Sequence, residues 1–268
     1  MAKSFSKKLV DWYQKNQVAH PWRVLWSQTN DPYVVWVSEI MLQQTLIQTV
    51  TPKYIAFMKR FPTIFELSKA SEDEFLSYVK GMGYYRRFRF MHRAAKFIVS
   101  DLNGQFPDSF EDLLSIPGVG HYTASAITSI CYNQPTPVLD GNVERVLCRL
   151  LDIRKPVNDP KLKKKYPELI SKFFDSKDPG DFNQGMMELG QLVCKPKSPL
   201  CGHCIVKKHC LAFERDSQSL APGPKVRKTF KKINCRVEVL KCGTLYGVSK
   251  RDSNSKFLVD VDGFANSL

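Results

Sequence analysis

Apolar residues recur at three- and four-residue intervals over most of the chain up to about residue 215, the spacing of one face of a helix. The first such segment, Ser4 to Lys15, is amphipathic. Asp31 followed by Pro32 offers a helix cap with proline in the first helical position, and the apolar run behind it predicts a strongly buried helix through Leu42. Further periodic segments lie at Thr45 to Arg60, Glu72 to Val79, Phe88 to Leu102, Ser109 to Leu114, Tyr122 to Tyr132, Val143 to Leu151, Leu162 to Asp175 and Asn183 to Val193. Gly81, Gly83, Pro107, Pro117, Gly118, Gly120 and Pro135 fall in the connections, where glycine and proline stop helices. Strand-like alternation is scarce before residue 233. From there Ile233, Cys235, Val237 and Val239 alternate with polar residues, Gly243 offers a turn, and Thr244 to Ser249 and Phe257 to Val261 predict two more strands. A stretch rich in Pro, Gly, Ser and Lys precedes them and reads as a linker. The pattern predicts an all-α protein with a short β-containing C-terminal segment.

Composition narrows the class. A hydrophobic content of 43% over 268 residues is enough for a proper core and excludes a wholly disordered chain. The net charge of +14 points to a polyanionic partner, although charge alone does not separate nucleic acid from an anionic membrane. The start, MAKSFSKKLVDWYQKN, lacks the apolar core of a signal peptide, and no stretch approaches the roughly 18 apolar residues of a spanning helix. A soluble protein of the cytoplasm is expected. Eight cysteines without an export signal read as thiols or metal ligands rather than as disulfides.

Four of those cysteines, Cys194, Cys201, Cys204 and Cys210, are spaced C-x6-C-x2-C-x5-C directly after a helical segment. Thiolates so close imply a metal, but paired C-x2-C knuckles of a zinc site are missing, and on spacing alone iron–sulfur and zinc stand equal. The same loop carries Lys195, Lys197, Lys207, Lys208 and His209, so it is also a basic surface. Between two helical segments lies IPGVG, Ile116 to Gly120, whose glycines let backbone N–H groups approach a phosphate. Taken alone, it reads rather as an ordinary tight helix turn. Glu39 stands among Val37, Ile40, Met41 and Leu42; a carboxyl group there has its charged form disfavoured, as a general acid near neutral pH requires. The plain alternative is a glutamate on the one polar edge of a buried helix. Asp140, in PVLDGNVERVL, is placed to cap the following helix and accept the backbone N–H bonds that suit a carboxylate. One neutral and one charged carboxyl group is the arrangement that breaks glycosidic bonds. The run from Lys80 to Phe97 interleaves Tyr84, Tyr85, Phe88 and Phe90 with Arg86, Arg87, Arg89, His92 and Arg93, which suits a protein that opens a base stack, although Phe88, Phe90 and His92 read as core at such spacing.

Together SEIMLQQT, GMGYYRR, IPGVGHYTASAI, LDGNVERVL, FNQGMMELG and the four-cysteine loop resemble the helix-hairpin-helix DNA glycosylases, and within them the MutY-type adenine glycosylases, from about Lys8 to Glu214. The resemblance implies a two-domain helix-hairpin-helix glycosylase fold. Residues 28–135 would form a six-helix barrel domain, residues 1–27 with 136–215 an iron–sulfur domain, and 216–232 a linker. Residues 233–268 would be a truncated remnant of a MutT-like domain. It implies a [4Fe-4S] cluster on the four cysteines and a monomer that binds double-stranded DNA containing adenine opposite 8-oxoguanine or guanine. Glu39, Asp140, Tyr122 and Asn142 would serve the chemistry. Gln43, Gln44, Thr45, Tyr84 and Arg86 would meet the DNA near the lesion, with Gly118, Val119 and Gly120 on a phosphate. Tyr122 replaces the lysine that endonuclease III-like relatives carry for strand cleavage, which implies little or no lyase activity.

Overall fold

The computed structural model describes residues 2–174, 177–226, 241–242, 245–246, 248–250 and 262–264. The chain divides into two compact units, Met1–Val226 and Arg227–Leu268. The first is helical: α1 (Ala2–Asn16), α2 (Pro21–Thr29), α3 (Pro32–Leu42), α4 (Ile47–Arg60), α5 (Ile64–Lys69), α6 (Glu72–Tyr78) and α7 (Arg86–Asp101) are followed by α8 (Phe110–Ser115), α9 (His121–Tyr132), α10 (Gly141–Leu150), α11 (Pro160–Ser171), α12 (Pro179–Leu192) and α13 (Leu211–Glu214). In the second unit β1 (Lys241–Cys242) pairs antiparallel with β2 (Leu245–Tyr246), and β3 (Val248–Lys250) with β4 (Asp262–Phe264). The strand expected over Thr244 to Ser249 overlaps β2 and β3; the alternating run from Ile233 to Val239 and the strand expected over Phe257 to Val261 lie outside the described residues. No described helix is long and apolar enough to cross a membrane.

The first unit has two apolar cores. One gathers around α3, which is apolar on every face and buried from Tyr33 to Met41. Asp31 starts that helix by accepting the Tyr33 N–H at 2.9 Å, with Pro32 in the first turn. Two buried phenols fasten it: Tyr33 donates to the Phe61 carbonyl at 2.9 Å, and Tyr54 donates to that of Val34 at 3.0 Å. The other core joins Phe5 and Leu9 of α1 to Val146 and Leu147 of α10, Tyr166 and Ile170 of α11 and Phe182 and Met186 of α12.

Helix α12 ties the two cores together. Gly180 lies so close to α9 that a Cβ there would sit 2.8 Å from the Ser129 carbonyl oxygen. One turn on, Asn183 is fully buried and donates through Nδ2 to Ser129 Oγ at 2.9 Å and to the Thr136 carbonyl at 2.8 Å, while its Oδ1 accepts the Val138 N–H at 3.0 Å. The extended segment that leads to Asp140 is thus held by this amide together with the Thr136 hydroxyl, which bonds to Thr128 Oγ1 of α9.

Helices α2 and α5 and the single turn α13 escape the periodicity reading. Helix α2 is short and largely exposed, with only Trp22 buried, so it shows no clean apolar stripe. Helix α5 spans only Ile64–Lys69, yet its start was signalled: Thr63 accepts the Glu66 N–H at 3.3 Å in a T-x-x-E capping pattern.

Replacing Asn183 by alanine leaves the buried Val138 N–H without its acceptor, a loss of about 1–3 kcal/mol. Denaturant unfolding should show a lower midpoint at unchanged slope; an unshifted midpoint would mean that the amide does not carry this junction.

Candidate active site

A cavity of about 480 Å³ opens where α2, α3, α9, α10 and α12 meet, and it brings together Glu39, Tyr122, Asp140 and Asn142. Glu39 stands on α3 in the middle of its apolar run and is only 7% exposed. Burial pushes its carboxyl pKa up to about 7; the nearby Asp140 charge adds to the rise, and a hydrogen bond from Tyr122 and the positive charge of Arg23 oppose it. That bond runs from the Tyr122 hydroxyl to Glu39 Oε2 at 2.6 Å, and the Tyr122 hydroxyl also lies 3.5 Å from Met187 Sδ. Tyr122 comes from the first turn of α9, and burial, with the carboxylates of Glu39 and Asp140 next, holds its phenol well above the usual range.

Asp140 caps α10. Its Oδ1 accepts the N–H groups of Asn142 at 2.9 Å and Val143 at 2.7 Å, and its Oδ2 accepts Asn142 Nδ2 at 2.8 Å. Asn142 is held in turn by Arg145, which donates to Asn142 Oδ1 at 2.9 Å, to the Gly190 carbonyl at 2.7 Å and to the Cys194 carbonyl at 2.9 Å. Helix α12 presses close here, since a Cβ on Gly190 would lie 2.7 Å from that of Asn142.

The opposite wall was not legible as a site. Arg23 forms an ion pair with the buried Glu188 at 2.8 Å and donates to Gln184 Oε1 at 3.1 Å. All three line the cavity with the rings of Trp22 and Trp26. The one sequence signal for Glu188 is an acid on a helix whose neighbours toward the core are Met186, Leu189 and Gly190.

The other expected residues form an outer group. Gln44 and Tyr84 stand exposed on separate loops, both with left-handed backbones, φ 53° and 49°. Thr45 also borders the active cavity, whereas Gln43, Tyr84 and Arg86 border a smaller one of about 200 Å³. Arg86 is exposed and lies over the Phe90 ring at 5.3 Å, while Phe88 and His92 are buried. In the IPGVG turn Gly118 has φ 79°, and a Cβ would fall 2.5 Å from that of Phe90, so both backbone and space require glycine. Val119 is buried, and Gly120 opens α9 in an extended conformation with no side-chain cap, leaving backbone N–H groups free at the helix start.

Among the described residues no group of three or more His, Cys, Asp or Glu side chains is arranged to hold a metal ion. The chemistry of the donor set nonetheless fits an iron–sulfur cluster: four soft thiols lie half-buried within residues 194–210. Burial raises the pKa of Cys201 and Cys210, and lifts Cys204 to about 11; charge on Cys194 acts on all three. Arg149 spans the group, donating to Cys194 Sγ at 3.3 Å and accepting from Cys210 Sγ at 3.3 Å through its carbonyl.

Residues 37–172 match the model of the HhH-GPD superfamily base excision DNA repair protein family. The chain is 42% identical over 228 residues to an adenine DNA glycosylase of Rattus norvegicus, an alignment that covers 82% of this chain. The chain spans 44% of that relative's length. A thermostable thymine-DNA glycosylase structure superposes with a TM-score of 0.70 at 26% identity, covering 80% of this chain and 97% of that one. An endonuclease III–DNA complex superposes with a TM-score of 0.65 at 19% identity, covering 80% of this chain and 95% of that one, a likeness of fold.

Burial of Glu39 has a consequence for stability. Its carboxyl is neutral in both folded and unfolded chains at low pH; as pH rises past the ordinary glutamate range the unfolded chain ionises first, so stability falls until pH passes about 7. Glu39→Gln removes this loss and should gain on the wild type by about 3 kcal/mol between about pH 4 and about pH 8. A difference independent of pH in denaturant titrations would contradict the raised pKa.

Proposed function

This chain belongs to the HhH-GPD superfamily of base excision DNA repair proteins, and on that premise we propose that it removes adenine from mispairs with 8-oxoguanine or guanine by hydrolysing the glycosidic bond. The observation that carries the reading is the pairing, in one cavity, of a buried carboxyl group poised near neutral pH with a hydrogen-bonded carboxylate. A base inside a duplex is out of reach of such a site, so the adenine must be extruded into it. Trp22 and Trp26 offer faces for the base, and Arg23, Gln184 and Glu188 offer donors and acceptors for its polar edge.

Glu39 in its neutral form gives its proton to N7 of the flipped adenine, so that the leaving group departs as a neutral base. The bond from Tyr122 points the carboxyl group and Tyr122 itself has no amine to attack the sugar, which fits simple hydrolysis rather than strand cleavage. Asp140 faces the positive charge that develops on the sugar until water adds to C1′ and gives up a proton, and Asn142 fixes the second oxygen of Asp140. At the outer group, Gln44 and Tyr84 wedge into the stack, and Gln43, Thr45 and Arg86 meet the strand beside them. The turn at Gly118, Val119 and Gly120 grips a phosphate. The four cysteines hold a [4Fe-4S] cluster that keeps the basic loop around it in shape for DNA; when bound it supplies structure, not a reaction step.

In a single-turnover assay across duplexes pairing A, T or G with 8-oxoguanine or guanine, only adenine should be released. Excision should fall as pH rises through about 7, where Glu39 loses its proton. Glu39→Gln and Asp140→Asn should each cost roughly a hundredfold or more while leaving DNA binding nearly intact. Near-normal excision by either variant would remove it from the mechanism. Protein purified without oxygen should carry about four irons per chain. Stoichiometric zinc in its place would refute the cluster.

A further inference from the structure

Two exposed loops flank the small cavity of about 200 Å³: residues 43–45 after α3, and residues 82–84 before α7. They are held together at one point. Arg87, in the first turn of α7 and 5% exposed, donates through Nη2 to Thr45 Oγ1 at 2.7 Å and to the Met82 carbonyl at 3.4 Å. Thr45 Oγ1 lies 3.2 Å from the Gln43 carbonyl and 3.4 Å from that of Met82, so its one proton also serves either loop. Apart from this cluster, no side-chain hydrogen bond among the described residues joins the two loops. Met82 itself packs in the core, while Gln43 and Tyr84 border the small cavity.

The guanidinium is an expensive choice for that place. Among the described residues its Nε and Nη1 are buried without partners, and burial lowers its pKa. An apolar side chain of similar length would fill the same volume without leaving donors unmet. What it would not supply is a directed, charge-assisted bond across to Thr45.

We infer that Arg87 is a positioning residue that locks the two loops together, so that Gln44 and Tyr84 enter the base stack as one rigid wedge. The inference rests on the reading of those two side chains as wedges given above. Loops that move independently would each lose the energy of insertion to reordering at the moment of contact; joined loops present both side chains already placed. Arg87 touches neither the adenine nor the sugar. Its loss should therefore slow the opening of a paired base and spare the chemistry that follows.

The test compares two substrates. In one, the target adenine is paired with 8-oxoguanine; in the other it faces an abasic analogue and needs little opening. Arg87→Met and Thr45→Val should each slow single-turnover excision from the paired duplex roughly tenfold, the weight of one charge-assisted bond. Arg87→Met should change excision from the unpaired duplex by less than about twofold, and on the paired duplex the double variant should be no slower than the slower single one. Arg87→Lys should recover part of the rate. Equal losses on both substrates, or losses that multiply in the double variant, would overturn the coupling and leave Arg87 as a residue of the fold or Thr45 as a separate contact. Fluorescence of 2-aminopurine beside the mispair reads stack opening without excision, with a slower rise expected for Arg87→Met. Opening by a wild-type protein that excises no adenine would defeat the proposed activity but leave the wedge open to this same comparison; a rise of unchanged rate in Arg87→Met would defeat the wedge alone.

Discussion

A carboxyl group buried in a helix that is apolar on all sides constrains the rest of this molecule. Nothing on α3 itself satisfies Glu39, and its neighbours from Val37 to Met41 are sealed in the core. The group can stay there neutral, or it can stay there with a donor brought from elsewhere. Tyr122 is that donor, and it sits 83 positions away in the chain, so α9 must pack across α3 at one depth. A second carboxylate cannot share the same dry space without driving the first one's pKa higher still. Asp140 accordingly keeps its own donors, supplied by the helix it caps, and approaches only closely enough for its charge to be felt. The two carboxyl groups share one cleft from different elements, Glu39 buried on α3 and Asp140 at the cap of α10.

Holding that cleft at a fixed width falls to α12. It is threaded between α1, α9 and α10 at small residues: Gly180 lets it reach the backbone of α9, and Gly190 lets it reach Asn142. Between those contacts Asn183 uses both N–H donors and its carbonyl oxygen on three groups around the segment before Asp140. Fully paired, such a buried amide specifies one geometry, whereas a partly paired one would destabilise the junction. The ion pair of Arg23 with Glu188 works at the same helix from the cavity side. An arginine that reaches two α12 acceptors also contributes charge opposing the rise in Glu39's pKa, so the wall of the cavity and the acid are electrostatically one unit.

What the sequence made legible follows the range of the forces involved. The bounds of α3 could be read because Asp31, Pro32 and the apolar run act within one turn, and the observed helix runs over Pro32–Leu42. Asp140 as a cap was equally local, and the turn at Gly118 declared itself by its glycine. Glu39 remained open between an acid and a polar edge, since the decision depends on how much water reaches it, and that is set by α9 and α10. Arg23 and Glu188 were invisible: each is an ordinary charged residue until the fold puts them 2.8 Å apart on the cavity wall. Helix α2 buries only Trp22 and α13 only Ala212, so neither shows an apolar stripe, and α5 was missed although Thr63 caps it. The four cysteines could be grouped by spacing, but the choice between iron–sulfur and zinc lies outside spacing altogether.

The two outer loops carry the reverse balance of local and distant forces. Gln44 and Tyr84 both hold φ near 50°, a region that side chains other than glycine, asparagine and aspartate enter at a cost of roughly 1 kcal/mol each. Glycine would be easier at either place, and Gly81 and Gly83 beside Tyr84 do take positive φ. A backbone that turns left at a large exposed side chain throws that side chain outward, away from the loop's own packing. Tyr84 is accordingly 54% exposed although the residues on either side of its loop, Met82 and Phe88, are buried. An exposed aromatic ring on a strained backbone lowers the stability of the free protein twice, by its conformation and by its contact with water. Such an arrangement persists only where the surroundings over-determine it, and here they do so through the buried polar contacts beneath. Under the proposed function these wet, strained side chains meet an apolar, stacked surface, and a DNA base pair offers one.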